Sequence, residues 1–375
     1  MYLTYRYRIK DSSHLNFLKD KANKANFIWN YYNEISKKYW RESRKWVTEK
    51  ELNQLTTGSS QDLDLNAQVI QAILKEFCKK RKQHKKLSWR SSKRKLGWIP
   101  FTNQNIRHIK NGSFQFMGRK FKFWKHRKLQ GKIKSGSFNQ NSLGYWFVNF
   151  VCELPNVPQV KGTKKVGIDL GLKSQITTSD GVSYQQTITK DYAVKLAKAQ
   201  RAQKKKQVRK IHTRIKNKRK DWNHQITTEI VKNYDQVYVG DVKSNKIKSL
   251  KNLAKSVYNA SWYQIKTFFS HKAKKLGKVF QEVSESHSTV TCSVCLSRTG
   301  PSGLGTLGVR AWNCSNCNAE HHRDVNAAQN ILQFALGRES RLAETRQERV
   351  GGTIRKRFQT EIIESKIGDY NAVED

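Results

Sequence analysis

VGIDLGLKS, at residues 166–174, decides the fold of the second half of this chain. Its apolar residues lead to Asp169, and a glycine stands two positions later, so the pattern predicts a buried strand that ends at an acid. Further along the chain, VYVGDVKSN (237–245) and KVFQEVSES (278–286) are typical of strands, and HHRDVNAAQNIL (321–332) opens a helix near Arg323. The alternation of these segments predicts an α/β domain.

Acidic side chains stand where these elements end or begin. Asp169 and Glu285 are expected at strand ends, and Asp324 in the first turn of the helix. Carboxylates from distant segments that meet at one place can jointly hold divalent metal ions, as a ribonuclease-H-type nuclease site requires. An Asp at a strand end is often only a turn residue, but both contexts within one α/β pattern favour a metal site.

Position 240 departs from such a site, because a glycine stands where a glutamate is usual. Asp241 cannot simply replace that glutamate, since side chains alternate between the two faces of a strand. Neighbouring strands lie about 4.8 Å apart, so a glutamate at the end of the next strand can reach the vacated position. We therefore predict Glu285 as the second acid, whereas Glu282 has the opposite parity and is the weaker candidate.

The charge of the chain points to nucleic acid. Lys and Arg outnumber Asp and Glu by 73 to 29, and the formal net charge is +44. Such a field attracts polyanions, and counterion release makes the affinity sensitive to salt. The longest apolar run contains Asn149 and Glu153 and is too short to span a bilayer, so we expect no membrane partner. We also expect no signal peptide and a cytosolic location, in the prokaryotic cytosol or nucleoid.

Four of the six cysteines form two close pairs. Two residues separate Cys292 from Cys295 and Cys314 from Cys317, and eighteen residues lie between the pairs. Tetrahedral zinc takes two such thiolate knuckles, so this spacing predicts a four-cysteine zinc ribbon. A site with four protein ligands is closed, and the zinc is therefore expected to be structural.

The rest of the chain divides into segments with different sequence patterns. Residues 12–83 are typical of helices, with Ser12 and Ser13 as N-caps, and 84–160 of short strands with turn signals such as Asn111-Gly112. The first helix is expected to bury an apolar stripe of Leu15, Leu18, Ala22, Ala25, Trp29 and Tyr32. The strand at 2–10 is expected to join the later strands in a small basic β-barrel, which makes the helices an insertion.

The expected fold class is α+β and multidomain. The predicted boundaries are 1–11 with 84–160 for the barrel, 12–83 for the helical insertion, 161–287 with 319–337 for the ribonuclease-H-like domain, 288–318 for the zinc ribbon and 338–375 for a mobile tail.

Two basic segments are candidate nucleic-acid contacts. Residues 190–232 are predicted to be one long helical segment, with twelve Lys or Arg and no acid between Lys198 and Lys220. Its interspersed apolar residues favour a helix folded against nucleic acid over an isolated solvated run. The run KKRKQHKK (79–86) is expected to face phosphate. The residues predicted to bind nucleic acid are Lys204, Lys205, Lys206, Arg209, Lys210, Arg214, Lys79, Lys80, Arg81 and Arg323.

Taken in this order, the acidic and cysteine segments resemble the RuvC-type domain of the transposon-encoded TnpB nucleases, relatives of the type V CRISPR effectors and of the eukaryotic Fanzor proteins. KANFIWNYYNE (24–34) and GKIKSGSF with YWFVNF (131–150) resemble the N-terminal half of the same family, so the resemblance covers nearly the whole chain except the tail. It implies an RNA-guided DNA endonuclease with a helical recognition insertion, a wedge barrel, a split RuvC domain and a zinc finger. Asp169 and Asp324 match the first and third catalytic acids.

The resemblance also bears on the second acid. Many family members have Glu-Asp where this chain has Gly240-Asp241, and some TnpB and Fanzor members carry a relocated Glu before a Thr-x-x-Cys segment, here Thr289 to Cys292. The family often has Asp at the position of His322, and the neighbouring Arg323 is expected to touch the scissile phosphate.

The resemblance implies cofactors and partners. Asp169, Glu285 and Asp324 would hold two catalytic Mg²⁺ ions, and the clustered cysteines one structural Zn²⁺. A guide RNA and target double-stranded DNA are the expected partners, and the oligomeric state stays open with a monomer favoured. Two alternatives remain: a nuclease-dead RNA-guided repressor, which Gly240 motivates, and a transposase that needs no guide.

Overall fold

A computed structural model describes residues 1–10, 14–84, 86–91, 96–160, 162–242, 254–306 and 308–337. The chain forms two compact units, one of residues 1–159, 187–225 and 274–277, the other of 160–186, 226–273 and 278 onward. Both units combine helices with strands, which confirms the α+β, multidomain class. The predicted caps Ser12 and Ser13 and the predicted tail at 338–375 lie outside the described residues.

Four helices of the first unit follow its first strand. They are α1 (Leu15–Ser43), α2 (Glu49–Leu55), α3 (Ser59–Asp62) and α4 (Ala67–Gln83). The stripe predicted for α1 is buried except at its start, where the Leu15 side chain is 37% exposed. Leu15 is the first residue of the helix, so it has no preceding turn to pack beside. Asn66 caps α4, because its side chain accepts the N–H of Gln68.

The strands of the first unit form two antiparallel sheets. One has the order β1 (Tyr2–Arg8), β7 (Trp146–Glu153), β6 (Lys132–Gln140) and β2 (Trp98–Thr102). The other has the order β3 (Ile106–Lys110), β4 (Ser113–Phe116) and β5 (Arg119–Lys122). A bridge between Ile9 and Phe123 joins their edges.

Phenylalanine rings from both sheets fill one shared core. The rings that pack there are Phe101, Phe114, Phe116, Phe121, Phe138 and Phe150. The predicted hairpin at Asn111-Gly112 is confirmed, because both residues have positive φ (46° and 79°), as a tight two-residue turn requires. GKIKSGSF pairs antiparallel with YWFVNF, as β6 against β7.

The basic segment is helical but interrupted. It forms α5 (Ile188–Asp191), α6 (Ala193–Arg201) and α7 (Lys205–Asn233), so the prediction of one continuous helical segment is wrong at 202–204. Gln203, between α6 and α7, has a positive φ of 51°. Ile211 and Ile215 of α7 are buried in a small cluster with Ala199 of α6. The apolar face of the basic helix is therefore used inside the protein.

The second unit is built on a five-stranded mixed sheet. Its order is β10 (Ser183–Tyr184), β9 (Ile176–Thr178), β8 (Lys165–Asp169), β11 (Gln236–Gly240) and β12 (Val279–Val283). The first three strands pair antiparallel, whereas β8, β11 and β12 run parallel. Every residue of β11 is buried, as the apolar run VYVG predicts. The carboxyl ends of the parallel strands therefore meet at one edge.

The remaining helices of this unit are α8 (Ala254–Ala260), α9 (Trp262–Lys275) and α10 (Arg323–Ala335). The chain bends between α8 and α9 at Ser261, which has a φ of 53°. Helix α10 lies directly on β8: a Cβ at Gly167 would be 2.1 Å from the carbonyl oxygen of Ala328. Only glycine permits this approach, which brings the first turn of α10 to the strand ends.

A two-stranded ribbon, β13 (Ala311–Asn313) with β14 (Glu320–His322), precedes α10. Within the described ranges, no helix is both long and apolar enough to cross a bilayer.

Candidate active site and metal centre

Three predicted acids lie near one another in the second unit. Asp169 is the last residue of β8, Asp324 is in the first turn of α10, and Glu285 follows β12 by two residues. The pKa of Asp169 is raised to about 7, chiefly by burial and also by the charges of Asp324 and Glu285, whereas Arg323 and Arg310 act to lower it. The structure thus brings the three carboxyl groups into one electrostatic site.

The backbone turn after β12 fixes Glu285. Its N–H donates to Oδ1 of Asp241 at 3.2 Å, and the N–H of Asp241 donates to the carbonyl of Val283 at 2.8 Å. Burial and the nearby Asp241 charge raise the pKa of Glu285 to about 7, while Lys266 lowers it. Asp241 therefore supports the Glu285 turn, a role that the sequence did not suggest.

Gly240 leaves the space that Glu285 occupies. A Cβ built at position 240 would lie 3.1 Å from Oε2 and 3.4 Å from Cβ of Glu285, and 3.1 Å from Cδ1 of Ile331. Gly240 is not among the residues with positive φ, so its backbone does not itself demand glycine. The Glu285 carboxylate lies where a side chain from position 240 would otherwise point.

Glu282 lies away from this group. Its Oε2 accepts a hydrogen bond from Nζ of Lys266 at 2.6 Å, and its side chain is 45% exposed. Strand alternation separates it from Glu285, as the parity of the sequence predicts.

Two arginines lie near Asp324, and only one of them, Arg323, was predicted from the sequence to have a role. Arg310 donates from a guanidinium nitrogen to Oδ1 of Asp324 at 2.6 Å, a contact that no sequence motif marked. Arg323 is buried, and its guanidinium donates to the carbonyl of Thr306 at 2.7 Å. Its backbone N–H also donates to the carbonyl of Arg310 at 2.6 Å, which fixes the Arg310 loop against α10. The phosphate contact predicted for Arg323 stays a prediction.

The donor set fits divalent cations of the magnesium type. Carboxylate oxygens are their preferred ligands, and a cation would offset the burial and the nearby negative charges that raise the pKa values of Asp169 and Glu285. Because metal binds the ionised form, protons compete with metal below about pH 7. Among the described residues, the four clustered cysteines are the only group of three or more metal-binding side chains whose ligand atoms lie close together. The three carboxylates are farther apart than that and would have to move closer to share a metal.

The four cysteines form that cluster. Their sulfur atoms all lie within 4.8 Å of one another, with 3.6 Å between Cys292 and Cys317 and between Cys295 and Cys314. Four thiolates at this separation could hold one metal ion such as zinc. Sequence reasoning missed His321, whose Nε2 lies 3.0 Å from the Cys292 sulfur.

Buried asparagines of α10 tie the cysteine loop to the acidic site. The Asn326 side-chain amide donates to the carbonyls of Ser288 and Thr291, and its oxygen accepts the N–H of Ser293 at 2.9 Å. Asn330 donates to the same two carbonyls at 2.8 and 2.6 Å. The helix that carries Asp324 therefore also holds the backbone on both sides of Cys292.

Cys292→Ser is expected to remove bound zinc and to lower the free energy of unfolding by about 4 kcal/mol or more, because structural zinc contributes directly to folding. Cys78→Ser is the control, since Cys78 lies outside the cluster. Elemental analysis should find one zinc per chain in the wild type and in the control. Wild-type protein purified without chelators that contains no zinc would refute the assignment.

Most residues predicted to bind nucleic acid are accessible. Those with exposed side chains are Lys204, Lys205, Lys206, Arg209, Lys210, Arg214 and Lys79. Lys80 is half-buried, with Nζ 3.4 Å from Oε1 of Gln83, and the Arg81 guanidinium lies 3.1 Å from the centre of the Trp46 ring. Their contacts with nucleic acid stay predictions.

Two protein-family models match parts of this sequence. The family model described as "Probable transposase" matches residues 149–251, and the one described as "Cas12f1-like, TNB domain" matches 262–331. Solved structures of a Cas12f1–sgRNA–target DNA complex and a CRISPR-Cas12f ternary complex give TM-scores of 0.38 and 0.39, with 16% and 14% identity. They cover 88% and 84% of this chain, and 99% and 80% of theirs.

Curated relatives are more similar in sequence. A Streptomyces pristinaespiralis protein named "Putative RNA-guided DNA endonuclease" is 32% identical over 213 residues, which are 53% of this chain and 52% of that one. "Putative RNA-guided DNA endonuclease InsQ" of Escherichia coli (strain K12) is 23% identical over 77% of each chain. "TnpB-like protein L79" of Acanthamoeba polyphaga mimivirus is 30% identical over 34% of this chain and 25% of that one. The chain thus spans about half of the Streptomyces relative, three quarters of the E. coli one and a quarter of the viral one.

Proposed function

We propose that the chain is a member of the TnpB family and a transposon-encoded, RNA-guided DNA endonuclease of the RuvC type. Two of the similar proteins carry the name RNA-guided DNA endonuclease. The net charge of +44 suits two polyanionic partners, a guide RNA and a target DNA duplex. Base pairing with the guide would supply the sequence specificity, and the protein would read a short flanking motif.

The position of Glu285 carries the proposal. A chain that had merely lost its second acid at Gly240 would have no reason to keep a carboxylate in the vacated space. Here Oε2 of Glu285 lies 3.1 Å from where a Cβ of residue 240 would be. The charge of Glu285 also acts on Asp169, so the acid is near its expected partners. This favours a rearranged active site over a dead one.

We assign the three acids to metal binding. Asp169, Glu285 and Asp324 would hold two Mg²⁺ ions, which when bound would activate the attacking water and stabilise the leaving oxygen. Arg310 donates to Oδ1 of Asp324, and no donor from the described part of the chain contacts Oδ2, which would be available to a metal. Burial keeps the ionised carboxylates costly without a cation, which is the electrostatic condition for tight metal binding.

The other parts of the chain receive roles consistent with this activity. The mixed sheet with α10 would be the ribonuclease-H-like domain, and the clustered cysteines with β13 and β14 a zinc ribbon. We keep the predicted boundaries for the wedge barrel, the helical insertion and the nuclease domain. The first compact unit also includes residues 187–225, which those boundaries give to the nuclease domain.

The function is tested in two steps. The RNA that copurifies with the protein is sequenced, and plasmids that carry the matching target sequence are then added to the RNA-loaded protein. Cleavage that needs both the matching RNA and Mg²⁺ is expected. Guided binding without cleavage would instead support the repressor. Strand joining by protein that carries no RNA would support a transposase, the activity that the family description of residues 149–251 names.

Replacing Lys204, Lys205 and Lys206 with alanine is expected to weaken RNA binding and to reduce the log–log salt slope by about two to three units, since each phosphate contact contributes about one. The charge-conserving triple arginine variant is the control and should keep the wild-type slope. Affinity measured at several salt concentrations decides the matter. An unchanged slope in the alanine variant would mean that these exposed lysines only face solvent.

A further inference from the structure

Exposed tryptophans gather on the helical part of the first unit. The Trp40 and Trp46 rings stack with centres 4.4 Å apart and planes 13° from parallel, near the end of α1. The Arg81 guanidinium covers Trp46, 3.1 Å from its ring centre. Trp46 is therefore held between Trp40 and Arg81 in a short column.

The way α1 ends explains why the two tryptophan rings meet, but it does not explain why they are exposed. Arg44 ends α1 in the left-handed conformation with its N–H on the Trp40 carbonyl, and an apolar contact across such a helix end is common. Such a contact explains why Trp46, which follows α1, packs against Trp40 of that helix. It does not bury the rings, since Trp40 is 37% and Trp46 is 39% exposed, whereas the core Trp29 is 6% exposed.

Trp40 ends the column at a ring that is 37% exposed. Trp46 has a neighbour on each face, but among the described residues Trp46 is the only aromatic or cationic group that stacks on the Trp40 ring. A flat, partly exposed aromatic ring is the surface on which nucleobases stack.

The surroundings of the column suit a polyanion. Exposed cations near the two rings along the chain are Arg41, Arg44, Lys45 and Lys82. Trp89, 48% exposed, lies under Nζ of Lys37 at 4.7 Å, and Lys37 is one helical turn before Trp40. Aromatic faces interleaved with cations are typical of surfaces that bind single-stranded nucleic acid, where bases stack and phosphates pair with charge.

We propose that Trp40, backed by Trp46 and Arg81, is a stacking platform for an unpaired nucleobase of a single-stranded nucleic acid. A base on the open face of Trp40 would extend the column to four stacked groups. A paired base would remain inside its duplex and could not do so. The inference rests on the nucleic-acid partner of the proposed function but does not depend on cleavage.

The test is the affinity of labelled twelve-nucleotide strands by fluorescence anisotropy. Trp40→Leu keeps an apolar side chain but removes the aromatic face, and Trp40→Phe restores a smaller face. Trp40→Leu should weaken binding about 5- to 150-fold, the range that corresponds to the loss of one stacked base, and Trp40→Phe should recover most of it. Trp124→Leu is the matched control, because Trp124 is 57% exposed and is paired with Lys10 outside this column.

Separate arms with RNA, DNA and a blunt RNA–DNA duplex identify the ligand. The strand type that loses more affinity is the natural source of the base, and duplex binding should be unchanged. Wild-type protein should also bind a strand of abasic nucleotides more weakly, and Trp40→Leu should not weaken that binding further, which also shows that the variant is folded.

The proposal is overturned if Trp40→Leu binds both strands like the wild type, if Trp124→Leu has an equal effect, or if the duplex is weakened equally. A failure of Trp40→Phe to recover affinity would assign the ring to packing. A wild type that binds and cleaves normally beside an unaffected Trp40→Leu would refute the platform alone. A wild type that binds strands through Trp40 but never cleaves would refute only the nuclease.

Discussion

Alanine at Asp169 or at Asp324 is expected to reduce DNA cleavage by at least about 10³-fold while guided DNA binding stays near the wild-type level. Each change removes a carboxylate that would hold metal, whereas binding depends on phosphate contacts and base pairing. Cleavage time courses and DNA affinity should be measured on the same RNA-loaded preparations. Asp191→Ala is a suitable control, because Asp191 is an exposed acid of α5, outside the acidic site.

The two variants should also differ in stability without metal. Burial and like charges raise the pKa of Asp169 to about 7, so its ionised form destabilises the metal-free protein above that pH. The stabilising effect of protonation is fully present below the ordinary pKa of an aspartate and is lost as the pH rises through about 7. Asp324 instead has Arg310 as its partner, and its removal leaves a cation unpaired. Cleavage by either variant within tenfold of wild type would show that the acids were wrongly assigned.

Strand periodicity explains why much of this site could be predicted from sequence. An apolar run that ends at Asp169 and an apolar helix face that starts beside Asp324 each determine which side is buried. The same alternation separated Glu285 from Glu282, whose carboxylate lies against Lys266 on the exposed side. These features depend on neighbours in sequence and on the fixed spacing of strands.

Contacts made by irregular segments could not be predicted in this way. Arg310 lies between the cysteine pairs in a loop without periodicity, and only the folded chain shows that it returns to Asp324. The support that Asp241 gives to the Glu285 turn depends on the path after β12. The interruption of the basic helix at Gln203 likewise follows from packing of α7 on α6, since glutamine has no special preference for positive φ.

Glu285→Ala is expected to be as inactive as Asp169→Ala, because both changes would remove a carboxylate from the same metal site. Glu282→Ala is the matched control and should retain most activity, since its partner is Lys266. Asp241→Ala is expected to fall between them. Its side chain holds the backbone N–H of Glu285, so its loss frees the turn without removing a metal ligand.

A glutamate introduced at position 240 gives a second test of the role of Glu285. In the wild-type background Gly240→Glu should lower activity, because its Cβ would lie 3.1 Å from Oε2 of Glu285 and a second negative charge would enter the same space. In the Glu285→Ala background that space is free, so the same substitution should restore part of the activity. A reversal of sign between the two backgrounds is the expected result of a double-mutant cycle on two positions that share one site.

The cycle is read from single-turnover cleavage rates of all four proteins with saturating RNA and Mg²⁺. Equal loss from Gly240→Glu in both backgrounds would mean that the two positions act independently and that Glu285 does not replace the missing acid. Normal cleavage by Glu285→Ala would lead to the same conclusion. If the wild type binds its guided target and never cuts it, the acid in the space beside Gly240 does not restore catalysis, and the protein is the RNA-guided repressor.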